Sequence, residues 1–461
     1  MKIDALVYEI GSTITVVSAF DQLTSNPHFL GQGFAKTSVV QGDVRIGIEQ
    51  ALLDLQNHLK TPLEAKQTFA CSSAAGGLKM SVHGLVYDMT VKAAKEAALG
   101  AGANIKFLTS GLLSNTDLDK IKTLGLNIIL ISGGVDYGER ETALSNAKAI
   151  ASMMLNIPVI YCGNIANQDA IKDIFALNHQ SGYLFITENV YPRIDTLQVE
   201  EVRQLIQQVF EKHIIEAPGM EHVREVINGV IMPTPKAVMD AAILLQKDLG
   251  DLICVDVGGA TTDVHSVCED NPEHAKMLLN PEPFAKRTVE GDLGVYINKD
   301  NLISLIGEKK LLQELNISSN QMQKLINDYQ PIPTDNQIPF VSRLTEEALS
   351  QSLNRHVGKY VTIYGSSGKT KTIEGKDLTS VQFFIATGGA LTKLPKGKQL
   401  IEKVLKSSHD QLLLPKNNLF ILLDQNYIMA ALGVLSKSYP VAALKLLKES
   451  LGWEKNNVSL H

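Results

Sequence analysis

The sequence predicts an α/β protein with two related halves and a separate parallel-sheet unit. Two stretches of one design, strand–acid–x–glycine–hydroxyl–strand, stand around Glu9 and Asp256. From about Gly102 onward, strand-like and helix-like runs alternate, the signature of a parallel sheet. A composition of 44% hydrophobic and 20% charged residues with 34 glycines is that of a globular α/β chain. Its 461 residues exceed one typical domain and ask for roughly two to four.

The chain is organised around residues 251–267, DLICVDVGGATTDVHSV. A mostly apolar run ends on Asp256, and a glycine turn joins it to a second β-prone run, which makes a hairpin. Gly258, Gly259 and Ala260 carry little or no side chain, so a phosphate can approach the backbone amides, and Thr261 and Thr262 add hydroxyl donors ahead of Asp263. At the strand end, Asp256 is placed to hold a hydrated Mg²⁺ bridging phosphate oxygens. Upstream, residues 3–20 repeat the design as IDALVYE, then Gly11, Ser12 and Thr13, then ITVVSAF. Two such hairpins suggest two halves closing on one nucleotide. Glu9 departs from the usual aspartate, and its extra methylene shifts or weakens a metal contact.

Net charge is −6 and pI about 6.0, so nothing electrostatic argues for nucleic acid or an anionic membrane. Met1 runs straight into a strand-like segment with no leader, and no apolar run reaches the roughly 18–20 residues a bilayer span needs. Cys71, Cys162, Cys254 and Cys268 lie far apart with no CxxC pair, so reduced buried thiols are expected rather than zinc or an iron–sulfur cluster. The chain is expected to be cytoplasmic.

Residues 44–59 have helical periodicity, 69–77 read as a strand entering a small-residue turn, and 85–99 read as a helix. His28, in NPHFLG, is a near miss for a base-off cobalamin motif, but Asn26 replaces the aspartate that would orient the imidazole. Within the alternating region, 105–108, 128–131, 159–161 and 183–187 are strands, with helices at 117–124, 141–155 and 169–176 between them. Residues 132–140, SGGVDYGER, follow a strand's carboxyl end, where ligands of such sheets bind, so Asp136 and Arg140 are candidate contacts. Residues 199–210 form an amphipathic helix, 231–235 (IMPTP) read as a breaker and boundary, and 236–249 read as a helix.

Downstream, Glu290, Gly291 and Asp292 sit in another turn that lies near the nucleotide or serves structure alone. Residues 309–339 are polar, with helix-like Leu and Ile spacing. GSSGKT at 365–370 imitates a phosphate-binding loop with two residues between glycines where four are required, and reads as a polar hairpin. Residues 381–386 are a buried strand, after which Gly388, Gly389 and Ala390 let a base or ribose approach the backbone. Residues 424–436 form a small-residue helix suited to tight packing at a hinge.

Three such turns in this order resemble the actin/sugar kinase/Hsp70-type ATPase superfamily. The surrounding stretches SSAAGGLKMSVHGLV, LISGGVDYGERETAL, VIMPTPKAVMDAA, DVGGATTDVHSV, RTVEGDLGV and IATGGALT resemble more narrowly the glutamate mutase accessory proteins, the MutL type of adenosylcobalamin mutase operons. That resemblance, over residues 1–436, implies a two-lobed actin/Hsp70-like ATPase fold of two ribonuclease-H-like domains with an α/β insertion in the first lobe. It implies residues 1–101 as the first lobe, 102–230 as the insertion and remainder of that lobe, 231–436 as the second lobe and 437–461 as a helical tail.

It further implies ATP and Mg²⁺ as cofactors, Asp256 as the Mg²⁺ holder and Glu9 as the acid that positions metal or water. Gly11–Thr13 and Gly258–Thr262 would grip phosphates, with Gly388–Ala390 on the adenosine side. The implied function is ATP-driven reactivation of an adenosylcobalamin-dependent mutase or aminomutase, whose subunits are the partners. Two other readings share the fold. One is a small-molecule kinase, for which Asp136 is a conceivable base. The other is an actin-like scaffold.

Overall fold

The computed structural model describes residues 1–73, 78–101, 103–194, 196–216, 219–220, 222–278, 282–365, 368–407, 412–415 and 419–453. The first strands, β1 (Lys2–Ile10), β2 (Ile14–Asp21) and β3 (His28–Lys36), form an antiparallel meander. Helix α1 (Val44–Leu59) begins where the Asp43 carboxylate accepts from the Arg45 amide at 2.9 Å. Its stripe of Val44, Ile48, Ala51 and Leu55 is buried, and β4 (Glu64–Ser72) then returns parallel beside β1.

A second sheet is then interposed. It is built by β5 (Leu78–Gly84), α2 (Lys92–Gly100), β6 (Ala103–Ser110), α3 (Asn115–Thr123), β7 (Ile128–Ile131), α4 (Glu141–Ser152), β8 (Val159–Tyr161), α5 (Gln168–Leu177) and β9 (Leu184–Ile186). All its strands are parallel, in the order β6-β5-β7-β8-β9, so helices cover both faces. Because β5 pairs with both β6 and β7, this sheet draws one of its interior strands from upstream of residue 102.

The chain re-enters the first lobe through α6 (Glu200–Glu216), α7 (Val223–Val226) and β10 (Ile231–Pro233), which pairs parallel with β4. The expected breaker at 231–235 is therefore an edge strand, and the edge position is what tolerates its proline. Helix α8 (Thr234–Leu249) follows without a gap.

The second lobe repeats the first. After β11 (Leu252–Val257), β12 (Thr262–Val267), α9 (Pro272–Ala275) and β13 (Ala285–Glu290) come α10 (Lys299–Ile306), α11 (Glu308–Leu315), α12 (Ser319–Asn327) and α13 (Ile338–His356). A hairpin of β14 (Lys359–Gly365) and β15 (Gly368–Glu374) forms a separate two-stranded sheet, tied to the lobe by Ile373 in its core. This hairpin occupies the region of the phosphate-loop imitation, whose Ser366 and Ser367 lie outside the described residues. Next are β16 (Phe383–Thr387), α14 (Gly389–Thr392), α15 (Gly397–Ser407), β17 (Phe420–Leu423), α16 (Met429–Leu435) and α17 (Pro440–Ser450).

The two lobe sheets, β3-β2-β1-β4-β10 and β13-β12-β11-β16-β17, have one order and one pattern of antiparallel and parallel pairings. This is the two-lobed actin/Hsp70-like arrangement. Both sheets bury an inner face on α8 and α16 in one shared core containing Val7, Phe20, Ala237, Cys254, Ile385 and Leu432. The two helices cross so closely that a Cβ on Gly433 would stand 1.8 Å from the Ala237 carbonyl oxygen. Helix α17, within the expected tail, packs Ala442, Leu446 and Leu447 into the same core. All four cysteines are buried free thiols, and among the described residues no helix is long and apolar enough to cross a membrane.

Candidate functional site

Each lobe carries its hairpin turn at the equivalent place. The Gly11 amide donates to the Ile14 carbonyl at 3.0 Å, and the Gly258 amide donates to the Thr261 carbonyl at 2.9 Å. Glu9 and Asp256 are the next-to-last residues of the strands before these turns, and both are half-buried. The turns face each other, for a Cβ built on Gly259 would lie 3.5 Å from Thr13 Oγ1. The third turn meets them, since a Cβ on Gly388 would stand 2.4 Å from Asp256 Oδ1. With φ +83°, Gly388 is also left-handed, so glycine is needed there twice over. By contrast, a Cβ on Gly389 meets nothing within 4 Å, so that residue opens onto free space.

Neighbouring segments brace the turns by their carbonyls. Thr37 Oγ1 donates to the Gly11 carbonyl at 2.8 Å, and Ser12 Oγ donates to the Ser73 carbonyl at 2.9 Å. Around the second turn, the Val295 amide donates to the Gly258 carbonyl at 3.1 Å and the Tyr296 amide to the Gly259 carbonyl at 2.9 Å. Asn298 Nδ2 donates to the Ala260 carbonyl at 2.6 Å, and Thr262 Oγ1 to the Leu293 carbonyl at 2.8 Å. The Gly11 and Gly258 amides close their own turns; tying the carbonyls away turns the remaining amides of each loop toward the gap between them, as an anion requires.

Glu290, Gly291 and Asp292 belong to this brace. Arg355 Nη1 donates to Glu290 Oε2 and to Asp292 Oδ1, both at 2.7 Å, and Asn298 Nδ2 donates to the Gly291 carbonyl at 2.9 Å. Burial raises the Glu290 carboxyl, while the Arg355 bond lowers that of Asp292.

Asp263 is 5% exposed and Arg287 only 2%. Arg287 Nη2 donates to Asp263 Oδ1 at 2.6 Å and Nη1 to the Leu99 carbonyl, at the end of α2, at 3.0 Å. Asp263 is thus an ion-pair residue behind the turn, not a group at its tip. Thr261 Oγ1 donates to its other oxygen at 3.1 Å.

Burial, reinforced by Asp263, Glu9 and Asp424, pushes the Asp256 carboxyl well above the usual range. Burial likewise raises Glu9 to about 7 against a lowering hydrogen bond from Tyr427, with Asp424 adding to the rise. Carboxylates that raise one another in this way suit a cation. Among the described residues no group of three His, Cys, Asp or Glu side chains stands ready to ligate a metal directly. Mg²⁺ gives up its waters reluctantly, so a hydrated ion, rather than one ligated directly, is what two such acids would suit.

Among the described residues no contact brings Asp136 or Arg140 to these turns; they lock the carboxyl-end loops of the inserted sheet. Asp136 Oδ1 accepts from the Ile165 amide at 3.0 Å and from Asn189 Nδ2 at 2.9 Å. Arg140 donates to Asn167 Oδ1 at 2.8 Å and to the Ala166 carbonyl at 2.7 Å. Two residues at the site escaped the sequence reading. Asp424, 1% exposed, accepts from Thr387 Oγ1 at 3.0 Å, and the Tyr427 hydroxyl donates to Glu9 Oε1 at 2.9 Å. An acid directly after the strand-like run 420–423 was the only available signal, and it was absorbed into the helix reading of 424–436.

Comparison with known proteins places this geometry in a lineage. The MutL protein family model matches residues 5–451. Protein MutL of Clostridium tetanomorphum is 36% identical over 461 residues, covering 97% of this chain and 98% of its own. Among solved structures, nucleotide-free acetone carboxylase aligns over 94% of this chain and 70% of its own, with 12% identity and a TM-score of 0.43. The nucleotide-free diol dehydratase-reactivating factor aligns over 95% of this chain and 99% of its own, with 11% identity and a TM-score of 0.38. By the family model and the full-length relative, the chain belongs to the MutL protein family.

Proposed function

We propose that this chain is an ATP-dependent reactivating chaperone of an adenosylcobalamin-dependent mutase or aminomutase. The observation that carries the nucleotide part is the opposition of two phosphate-type turns, one per lobe, with Gly259 against Thr13 and Gly388 against Asp256. One ATP spanning that cleft touches both lobes, so its binding and loss move them. A ligand shifts such an equilibrium only through different affinities for the two arrangements. The mutase part rests on membership of the MutL family, together with the resemblance of the chain's motif stretches to the accessory proteins of adenosylcobalamin mutase operons. Mutases of this class fail when the cobalt–carbon bond is lost and spent cobalamin stays bound. A partner that changes shape with ATP and ADP can pry the enzyme open and free the site.

In this reading Asp256 and Glu9 hold Mg²⁺ through water. Bound Mg²⁺ would neutralise phosphate charge, while the loops Gly11–Thr13 and Gly258–Thr261 receive phosphate oxygens and Gly388 to Ala390 receive the adenosine side. Thr262, expected to join them, is fully buried with its hydroxyl on the Leu293 carbonyl and braces the turn instead. Glu9 orients the water. Asp136, the base a kinase would need, has its Oδ1 engaged by the loop of the inserted sheet, which favours the chaperone over the kinase.

The test is recovery of activity by a mutase or aminomutase inactivated with its cobalamin in place. This chain, ATP, Mg²⁺ and fresh adenosylcobalamin are added, with an ATP-free control. ATP-dependent recovery is expected. Tight ATP binding with no recovery of several candidate enzymes overturns the mutase assignment.

A further inference from the structure

Tyr427 belongs to the second lobe by position, in the loop between β17 and α16, yet its hydroxyl and its carbonyl both bond to the first lobe. Its hydroxyl donates to Glu9 Oε1 at 2.9 Å. Its carbonyl accepts from Gln32 Nε2, on β3, at 2.8 Å, and the same nitrogen donates to Ser18 Oγ on β2 at 3.1 Å.

The loop is anchored from the other side. Asp424 takes the Met429 amide at 2.8 Å, Thr387 Oγ1 at 3.0 Å and Ser450 Oγ at 2.5 Å. The Tyr427 amide donates to the Asp424 carbonyl at 2.9 Å. Tyr427 is held at φ +53°, a left-handed backbone that costs an ordinary residue about 1–2 kcal/mol. Such strain persists where surrounding contacts over-determine it. Here those contacts aim one aromatic side chain across the lobe boundary onto Glu9, near the end of β1.

The second lobe does not need this device. Gly388 presses on Asp256 from within that lobe, whereas Glu9, one methylene longer than an aspartate, takes its fixed hydrogen bond from the opposite lobe. We propose that Tyr427 is the positioning residue of Glu9, delivering its hydroxyl only while the lobes are closed, so that the acid is correctly aimed in the closed state alone. The proposal rests on the nucleotide reading of the cleft. It adds that turnover is gated by lobe closure through a single phenol. Tyr427 itself touches no phosphate in this account.

The test uses the full chain with Tyr427→Phe, Glu9→Asp and the double variant. ATP turnover and ATP affinity are measured, together with the inter-lobe distance distribution from a pair of spin labels, one on each lobe, without nucleotide. Tyr427→Phe lowers kcat about tenfold while ATP affinity stays within about twofold, and it shifts the distance distribution toward the open arrangement. Glu9→Asp withdraws the carboxylate from the phenol, so adding Tyr427→Phe to it produces no further loss.

Losses that multiply in the double variant, or a fall in affinity that accounts for the whole effect, overturn the positioning role. If the wild-type chain neither binds nor turns over ATP, the nucleotide reading has failed. The distance measurement then decides the cross-lobe link by itself, and an unchanged distribution in Tyr427→Phe overturns it.

Discussion

The two lobes share a strand order and a turn geometry, and they differ in how each handles its acid. In the second lobe Asp256 stands opposite Asp263 in the register, and buried Arg287 balances the pair. In the first lobe Glu9 stands opposite Val16, and its polar partner is Tyr427 from the other lobe. One acid is therefore balanced by groups of its own lobe, and the other takes its hydrogen bond across the lobe boundary. Duplicated architecture sets where two acids lie, while unshared side chains decide which is fixed and which is conditional.

The largest expected effect comes from breaking the second lobe's ion pair. Arg287→Ala leaves Asp263 buried beside Asp256 without its cation and is expected to cost about 3–5 kcal/mol in denaturant unfolding. A cost below about 1 kcal/mol would show that Asp263 reaches water. Next is the shared hinge. Gly433→Val puts a side chain into the Ala237 carbonyl at the α8–α16 crossing and is expected to destabilise by about 3 kcal/mol. A neutral result would show that the helices slide apart freely.

Glu9→Gln sharpens the comparison through pH. Burial raises Glu9 from its ordinary value of 4.5 to about 7, so the folded state holds that proton more tightly than the unfolded chain. The contribution to stability is fully present below pH 4.5 and is lost as pH rises through 7. Without nucleotide or metal, Glu9→Gln is therefore expected to match wild type at acid pH and to be more stable by about 3 kcal/mol above pH 7. A stability difference that does not change with pH would contradict this. The smallest effect is outside both lobes. Arg140→Ala removes loop bonds of the inserted sheet, is expected to cost about 1 kcal/mol of stability, and should leave ATP affinity unchanged in a titration.

The parts legible in the sequence were those encoded locally. Strand–glycine–strand runs specify hairpins because the turn residues themselves demand them, and both hairpins formed where Gly11 and Gly258 stand. The strands β6 to β9 were legible because short β-prone runs alternate with amphipathic helices. Less visible was β5, LKMSVHG, which follows a run of small residues and shows no clean alternation although every residue but one is buried. Strand β10 was hidden by its proline. The partners Arg287, Arg355, Asp424 and Tyr427 were hidden for a different reason. Each acts on a residue far away in the chain, with Tyr427 and Glu9 separated by 418 positions, and no periodicity marks such a contact.

The central claim is that two turns on two lobes hold one nucleotide. Calorimetric titration of Mg·ATP into the wild type, Asp256→Asn and Gly11→Val tests it most directly. The account predicts one ATP per chain for the wild type, and affinity weakened by at least about tenfold in each variant, with the fold retained. Two independent sites, or wild-type affinity in either variant, would contradict it.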